Sequence, residues 1–316
     1  MSGPSGAPDL PVSDDPAPRL PDVVVVGAAT RDIARDDPRG WRLGGGVTYS
    51  ALALARLGLR TAALIGVDHA AASATELDLL TSAGVDIRLD RLARGPVFDN
   101  VETPAGRAQI GLSPSDPIDP AALPAAWREA RGWAFAAIAD ELTGAWATAV
   151  AANAIVAVGW QGLLRDIVPG QRVARRRPGP DPLIFRADIV GFSREDVRRE
   201  TDLRDLCRLM RPGSTMALTR GANGGMLMTV GPERPTSMRR WPAVPARALI
   251  DPTGAGDVFL SGLLAARLMR GSMSGEGLRR GADLHLAATM SSLVLEAHGL
   301  DAVPDRDAVR ARLLVT

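Results

Sequence analysis

The sequence contains no lysine, so all 37 of its basic residues are arginine, and they face 36 acidic residues. The resulting formal net charge of +1 leaves no basic excess, and the sequence therefore predicts no nucleic-acid partner. Arginine carries a planar, forked guanidinium rather than a compact ammonium. Any side-chain cation that contacts a phosphate group in this protein must therefore be such a guanidinium.

Cysteine, aromatic residues and long apolar runs are also scarce. The single cysteine, Cys207, cannot build a disulfide framework, and no Cys/His cluster has metal-ligand spacing, which fits a reducing cytoplasm. Aromatic residues make up 4% of the chain. No apolar run reaches the roughly 18 residues that a membrane span needs, so no membrane partner is expected. Residues 1–20 are rich in Pro, Ser, Gly and Asp and are expected to form a disordered tail rather than a signal peptide.

The rest of the chain, 21–316, alternates between strand and helix patterns. The β-branched run 23–26 predicts a buried parallel strand, and helical spacing of apolar residues follows at 47–57. A second helix is predicted at 70–83. Further strands are predicted at 61–65, 133–138, 155–158, 184–190, 215–219 and 226–230. This alternation predicts an α/β fold in which helices cover both faces of a mostly parallel sheet, giving a three-layer α/β/α sandwich.

The middle of the chain interrupts that alternation. Extended runs at 85–89, 97–103 and 107–112 follow one another without a helix, and 104–106 has turn composition. They predict a small antiparallel β lid formed by about 38–43 and 85–113. Because a small sheet has exposed edges, pairing of two lids in a homodimer would protect them.

One segment indicates a reactive site. It is Asp251-Pro-Thr-Gly-Ala-Gly-Asp257, and an apolar helix follows it. Small residues at 254–256 allow a tight turn, and the unpaired N–H groups of a helix start attract anions. An acid at position 257 has two interpretations at this point. Asp257 is either a first-turn acid stabilised by the helix dipole, or the base that takes a proton from an attacking hydroxyl during phosphoryl transfer.

The heptapeptide resembles the C-terminal signature of the PfkB family of sugar and nucleoside kinases, whose usual form is Asp-Thr-x-Gly-Ala-Gly-Asp. The resemblance implies a ribokinase-like fold and phosphorylation of a sugar or polyol hydroxyl with ATP and Mg²⁺. It assigns the catalytic base to Asp257. It assigns the anion hole to the backbone amides of Gly254, Ala255 and Gly256.

The family resemblance also suggests sites for metal ions. In many relatives the first acid and the threonine of the signature bind a monovalent cation, so Asp251 and Thr253 are expected to bind K⁺, with turn and capping chemistry as the alternative. Segment 188–196 lies where relatives carry Asn-x-x-Glu, which helps place magnesium. Asp196 and the adjacent Glu195 are the candidate ligands here, and Ser193 takes the place of the asparagine.

The N-terminal half implies an acceptor site. Asp32 matches an acid that binds substrate hydroxyls in relatives, and Gly44 and Gly45 match paired glycines that allow close backbone approach. Relatives often place an asparagine where this chain has Tyr49, which changes the expected substrate contact. Arg165 is a candidate phosphate contact, with an ordinary surface arginine as the alternative.

The remaining matches concern the nucleotide. Segment 219–224 resembles the family's Thr-x-Gly-x-x-Gly beside the nucleotide, and a helical histidine matches a position near the adenine. The expected nucleotide-binding residues are Thr219, Gly221, Gly224 and His285. Segments 97–100, 116–118 and 160–165, together with Pro252, bring the chain nearest to the inositol-kinase-like and uncharacterised sugar-kinase branch of the family.

Two other functions stay open from the sequence. Departures from the family pattern at Tyr49, Ser193 and Gly159 allow a non-catalytic binding or regulatory protein on the same fold. A nucleoside kinase is the other alternative, although few aromatic side chains are available to stack a base, the nearest being Tyr49, Trp41 and Phe98.

Overall fold

The computed structural model describes residues 20–103, 106–232, 235–272 and 281–315. Its strands are β1 (Val23–Ala28), β2 (Thr30–Ile33), β3 (Trp41–Gly44), β4 (Thr61–Val67), β5 (Asp86–Arg91), β6 (Val97–Thr103), β7 (Gly106–Ser113), β8 (Gly132–Ala136), β9 (Ile155–Gly159), β10 (Arg165–Asp166), β11 (Gln171–Arg172), β12 (Ala174–Arg175), β13 (Ile189–Ser193), β14 (Thr215–Thr219), β15 (Gly225–Val230) and β16 (Pro235–Trp241). Its α-helices are α1 (Gly46–Arg56), α2 (Glu76–Ser82), α3 (Trp146–Ala149), α4 (Pro182–Arg186), α5 (Leu203–Arg208), α6 (Ala255–Ser272), α7 (Ala282–Val294) and α8 (Arg306–Leu313).

The main sheet has the strand order β16-β15-β14-β13-β9-β8-β1-β4-β5. The strands from β14 to β5 are parallel, and β15 and β16 extend the sheet as an antiparallel hairpin. The central strand β1 is buried along its whole length. Its apolar residues run without interruption because side chains on both faces of a covered parallel strand are buried.

Alternate residues of β1 enter two separate hydrophobic layers. Val23 and Val25 pack with α1, α6 and α7 on one face. The other face is rich in aromatic side chains, where Trp133, Phe135 and Trp146 pack in sequence with ring centroids 5.9 and 5.6 Å apart. The predicted three-layer α/β/α sandwich with a mostly parallel sheet is confirmed.

A second sheet, called the small sheet below, has the order β11-β7-β6-β2-β3. The prediction that strand 85–89 belongs to the lid is wrong, because Asp86–Arg91 pairs in parallel with β4 at the edge of the main sheet. An edge strand is covered unevenly, and its alternating exposure resembles a lid strand. The small sheet instead includes β2 and β11, which the sequence did not predict.

The predicted strand 184–190 is also wrong in its first half. Asp181 accepts hydrogen bonds from the backbone of Leu183 and Ile184, and Pro182 follows it, so this segment begins the short helix α4. The strand starts only at Ile189. The predicted tail at 1–20 and the turn at 104–106 lie almost entirely outside the described residues. Within the described ranges, no helix combines the length and apolar character needed to cross a bilayer.

The sheet order explains where a site forms. The chain leaves β1 towards β4 on one side, and later strands add through β8 on the other side, so the order reverses at β1. Ligands of open α/β sheets bind at the carboxyl ends of strands next to such a reversal. A ligand site is therefore expected among the residues that follow β1 and β8.

Candidate active site

The turn before α6 is held in shape by its own acid. One carboxylate oxygen of Asp251 accepts hydrogen bonds from the backbone N–H of Thr253 at 2.9 Å and from its hydroxyl at 2.6 Å. The other carboxylate oxygen accepts a longer bond from the N–H of Gly299 at 3.5 Å. The capping interpretation of Asp251 and Thr253 is thus present in the structure, while their binding of a monovalent cation stays a prediction. The described residues contain no cluster of three or more His, Cys, Asp or Glu side chains that could hold a metal ion.

Gly254 adopts a left-handed conformation with φ of 79°, which favours glycine. Its Cα also lies against a ring, because a Cβ atom there would come within 2.2 Å of Tyr49 Cδ1. Tyr49 is buried on α1 and packs under the turn. The structure therefore places Tyr49 beneath the predicted anion hole, and a substrate contact for this side chain stays a prediction.

The other residues of the predicted anion hole start α6. Ala255 is the first residue of the helix, and its carbonyl oxygen accepts a hydrogen bond from the hydroxyl of Ser291 on α7 at 3.0 Å. Val258 donates to the carbonyl of Gly254 at 2.9 Å. The turn is therefore tied both to its own helix and to α7. Ser291 was missed at the sequence level, because nothing local marks a serine on a distant helix.

Asp257 lies in the first turn of α6 and points at α1. A Cβ atom on Gly46, the first residue of α1, would lie 2.5 Å from Asp257 Oδ1. The carboxylate therefore fits beside α1 only because residue 46 has no side chain. The chain brings these two residues together from opposite ends through the packing of α1 on α6.

The surroundings of Asp257 shift its titration. The pKa of Asp257 is raised to about 6, mainly because burial disfavours the charged form, while the Arg165 guanidinium lowers it and the Asp196 carboxylate raises it. A carboxyl with a pKa near 6 is ionised at neutral pH and is a better proton acceptor than an ordinary aspartate. Asp257 therefore has the properties of a general base.

Arg165 places a positive charge among the acidic side chains around Asp257. Burial lowers its pKa, and the carboxylates of Asp196, Asp257, Asp32 and Glu141 oppose that change. Because a guanidinium stays charged in proteins, Arg165 is a partly buried cation among acids. Its Nη1 nitrogen is buried and has no hydrogen-bond partner among the described residues. An unsatisfied buried donor of this kind is costly unless a ligand accepts its hydrogen bond.

The acceptor side is built by the small sheet and the glycines before α1. Asp32 lies on β2 and accepts a hydrogen bond from the Thr30 hydroxyl at 3.1 Å. A Cβ atom on Gly44 would lie 2.5 Å from Asp32 Oδ2, and one on Gly45 would lie 2.6 Å from the carbonyl oxygen of Ala28. The structure thus brings Asp32, Gly44 and Gly45 together at the end of β1, while their contacts with a substrate stay predictions.

Glu141 is a buried acid of this region that the sequence analysis missed. Its carboxylate accepts hydrogen bonds from the backbone N–H groups of Ala28, Ile138 and Ala139 at 2.8–3.1 Å. Burial raises its pKa, although these hydrogen bonds act in the opposite direction. Glu141 therefore fixes the segments that follow β1 and β8. Its signal in the sequence was an acid shortly after a buried strand, at the sheet edge where sites form.

The candidate magnesium residues lie in the turn after β13. Asp196 accepts hydrogen bonds from the backbone N–H of Ser193 at 2.7 Å and from Gln161 Nε2 at 3.0 Å. Glu195 is exposed, and its N–H donates to the Ser193 hydroxyl at 3.2 Å. Of these two acids, it is Asp196 whose carboxylate raises the pKa values of Asp257 and Arg165.

The candidate nucleotide residues begin next to that turn. Thr219 ends β14 opposite Ser193, and its carbonyl accepts a hydrogen bond from the N–H of Arg194 at 3.0 Å. Gly221 and Gly224 form the following turn, both with positive φ. His285 lies in the first turn of α7. The turns at 193–196 and 219–224 are thus neighbours, while contacts with a nucleotide stay predictions for all four residues.

Comparison with known families finds a match for the segment that contains the turn before α6. A family model described as pfkB family carbohydrate kinase matches residues 191–306. The resemblance to the PfkB family is confirmed. The match includes the predicted base and anion hole of the PfkB signature. No curated protein sequence matches the chain.

Solved structures extend the similarity to nearly the whole chain. A pyrophosphate-dependent kinase in the ribokinase family, complexed with a pyrophosphate analog and myo-inositol, is 18% identical with a TM-score of 0.69, covering 92% of this chain and 99% of that one. Arabidopsis thaliana ribokinase, complexed with ribose and ATP, is 18% identical with a TM-score of 0.64, covering 93% and 99%. A putative ribokinase II from E. coli, in complex with ATP and Mg²⁺, is 15% identical with a TM-score of 0.65, covering 94% and 100%. At these identities the similarity establishes the ribokinase fold.

Proposed function

We propose that this protein transfers the terminal phosphoryl group of ATP to a hydroxyl group of a sugar or polyol. One observation carries the proposal, namely the position of Asp257 in the first turn of α6, where its pKa is raised to about 6 and Arg165 is a neighbouring cation. A base, a cation and a helix start are the groups that phosphoryl transfer requires. The PfkB match of the same segment supports this chemistry.

In the proposed reaction, the acceptor hydroxyl gives its proton to Asp257 while its oxygen bonds to the terminal phosphorus of ATP. The bond from that phosphorus to the bridging oxygen breaks, and ADP leaves with the electron pair. The amides of Gly254, Ala255 and Gly256 and the free Nη1 of Arg165 stabilise the negative charge on the transferred group. We propose that the small sheet acts as the lid that excludes water from this step.

The residues present are compatible with the expected magnesium ion. Magnesium is usually held by one or two carboxylates together with substrate phosphates and water, so a preformed cluster is not needed. The Asp196 carboxylate accepts two hydrogen bonds, which leaves lone pairs for a cation. Asp196, with the adjacent Glu195, would hold magnesium, which neutralises phosphate charge when bound.

The aromatic side chains favour a sugar or polyol over a nucleoside. Tyr49 and Phe98 are 2% and 1% exposed, and they already pack against Gly254 and Arg165. Trp41 is covered by the guanidinium groups of two arginines, at 5.7 and 4.7 Å from its ring centroid. These three rings are engaged, so they offer no open platform for stacking a base. Pairing of two copies through the small sheet stays a prediction.

The proposal is tested with an assay of ADP release over a panel of polyols, sugars and nucleosides, with ATP and magnesium, with and without potassium. Asp257→Asn is expected to abolish turnover while ATP still produces its thermal shift, because the base is lost and the anion hole remains. Asp205→Asn, the same change in an exposed acid of α5, serves as the matched control.

Turnover at the wild-type rate in Asp257→Asn would refute the role of the base. If the wild-type protein shows ligand-induced thermal shifts but no turnover, the protein is a binding protein on the kinase fold. A parallel set with pyrophosphate instead of ATP tests the donor, since a pyrophosphate-dependent kinase shares the fold. Turnover with pyrophosphate alone would overturn the ATP assignment and leave the acceptor chemistry intact.

A further inference from the structure

The turn that forms the predicted anion hole has little side-chain material to hold its shape. Gly254 and Gly256 carry no side chain, and a glycine backbone reaches many conformations. The N–H of Ala255 donates a long hydrogen bond to the carbonyl of Pro252 at 3.3 Å. Among the described residues, the N–H groups of Gly254 and Gly256 donate to no backbone carbonyl. These donors stabilise a transferred phosphoryl group only if the turn keeps them in a fixed direction.

An aromatic ring from another helix supports the middle of this turn. A Cβ atom on Gly254 would clash with three ring carbons of Tyr49, namely Cδ1, Cε1 and Cγ. The ring therefore lies against the Cα of Gly254 on the side where a side chain would project. Tyr49 belongs to α1 and is 2% exposed, so the core in turn holds the ring. The contact with Gly254 is made by ring carbons, and it depends on the shape of the side chain.

The same helix also sets the position of the candidate base. Gly46 starts α1 and faces Asp257 Oδ1, and Tyr49 follows it at i+3. Residues with this spacing lie on one face of a helix. This face of α1 leaves a gap where the carboxylate lies and carries a ring where Gly254 lies. The start of α1 thus contacts both the base and the turn, which fixes the distance between them.

We propose that Tyr49 is a positioning residue, whose ring keeps the turn at Gly254 in the conformation that directs the amides of 254–256 at the transferred phosphoryl group. This inference rests on the proposed function, since it assigns a role in that same reaction. The alternative, expected from the sequence, is a direct contact between Tyr49 and the acceptor. Positioning acts through the ring carbons and lowers kcat when it is lost, whereas an acceptor contact acts through the hydroxyl and raises the acceptor KM.

The test compares the kinetics of Tyr49→Ala and Tyr49→Phe with those of the wild-type protein. Tyr49→Ala leaves a gap beside Gly254, so the amides are no longer held in one direction. Loss of a preorganised donor costs on the order of 100-fold in kcat, and we expect a loss of about this size with the acceptor KM within about threefold. Tyr49→Phe keeps every ring carbon and is expected to retain kcat and both KM values within about twofold.

Three further variants separate positioning from a general loss of stability. Leu54→Ala is the matched control, because Leu54 is fully buried on α1 but lies on a different face from Tyr49. It is expected to lower the melting temperature and to keep the wild-type kcat. Tyr49→Leu keeps most of the buried volume without the flat ring, and it replaces Tyr49→Ala if that variant does not fold, with an expected kcat loss of about tenfold. Gly254→Ala is expected to lower kcat less in the Tyr49→Ala background than in wild type, because the ring that opposes its Cβ is gone.

The outcomes distinguish this inference from the proposed function. A wild-type kcat in Tyr49→Ala and Tyr49→Leu, or an equal kcat loss in Leu54→Ala, overturns the inference and leaves the proposed function standing. A raised acceptor KM with unchanged kcat in Tyr49→Phe overturns it in favour of the acceptor contact. If the wild-type protein turns over no acceptor, the thermal shift produced by inorganic pyrophosphate tests the amides without chemistry. A shift that is lost in Tyr49→Ala and kept in Leu54→Ala then supports the inference while the proposed function fails, and no shift in the wild-type protein refutes both.

Discussion

The position of Asp257 depends on the absence of a side chain at Gly46, which makes Gly46→Ala a sharp perturbation. The added methyl carbon would lie 2.5 Å from Asp257 Oδ1 and 3.2 Å from the Cβ of Ala136 on the other side. An ordinary van der Waals contact begins at about 3.4 Å, so the carboxylate has to retreat by about 1 Å. A displacement of that size in a catalytic group costs on the order of 100-fold in rate, or about 2.7 kcal/mol of transition-state stabilisation.

We therefore expect Gly46→Ala to lower kcat about 100-fold on the best acceptor of the panel. Stability is expected to change much less, because alanine gains up to about 1 kcal/mol over glycine in a helix and this gain opposes the clash. Steady-state kinetics and thermal unfolding measure the two effects separately. Gly179→Ala is the matched control, since a Cβ atom at this exposed position has no neighbour within 4 Å. A kcat within twofold of wild type, with an unchanged melting temperature, would refute the geometry derived for the base.

Two further predictions concern the titration of the base. The pKa of Asp257 rises from its ordinary value of 3.8 to about 6 on folding, so the folded protein binds more protons between these values and its free energy of unfolding falls as pH rises from 4 to 6. Above pH 6 the ionised carboxylate costs up to about 3 kcal/mol. Asp257→Asn is therefore expected to be more stable than wild type at pH 8 and equal to it near pH 3.5, as measured by urea unfolding. A stability difference independent of pH would contradict this. Because the Arg165 guanidinium lowers the pKa of Asp257, Arg165→Gln is expected to move the acid limb of the kcat/KM profile to higher pH. Arg176→Gln, which removes two ion pairs at the surface, is expected to leave the limb in place. An acid limb at the same pH in Arg165→Gln and wild type would show that the two groups do not interact.

The fold was predictable because its signals are local. The run 23–26 and the helix spacing after Gly46 are patterns within ten residues, and they predicted the parallel sheet and its layers correctly. The error at β5 arose because an edge strand and a lid strand have the same alternation of exposed and buried residues. Only pairing with β4, which depends on residues 20 or more positions away, separates the two.

Part of the candidate site was predictable for the same reason. The turn before α6 combines a glycine-rich stretch with a helix start, and both are visible in seven consecutive residues. The neighbours of Asp257 are not visible in that way, because Gly46 and Asp196 reach it from distant elements. Glu141 and Ser291 act through the backbone of other segments, so no motif marks them. Sequence reasoning therefore found the candidate base and missed Glu141 and Ser291, which brace the neighbouring backbone.

The departures from the family pattern take on a different meaning once their positions are known. Tyr49 packs under Gly254. Trp160, the residue after Gly159, is 2% exposed in the aromatic layer, where its ring lies edge-on to Phe192 at 5.5 Å. Ser193 shapes its turn through its own N–H and hydroxyl, which bond to Asp196 and to the following backbone. The residues at positions 49 and 193 thus serve packing and turn formation. A protein on this fold that no longer transfers phosphoryl groups would gain stability by losing Asp257, because an ionised carboxylate in that place lowers stability. The proposed catalytic role gives a reason for an acid beside an unsatisfied guanidinium.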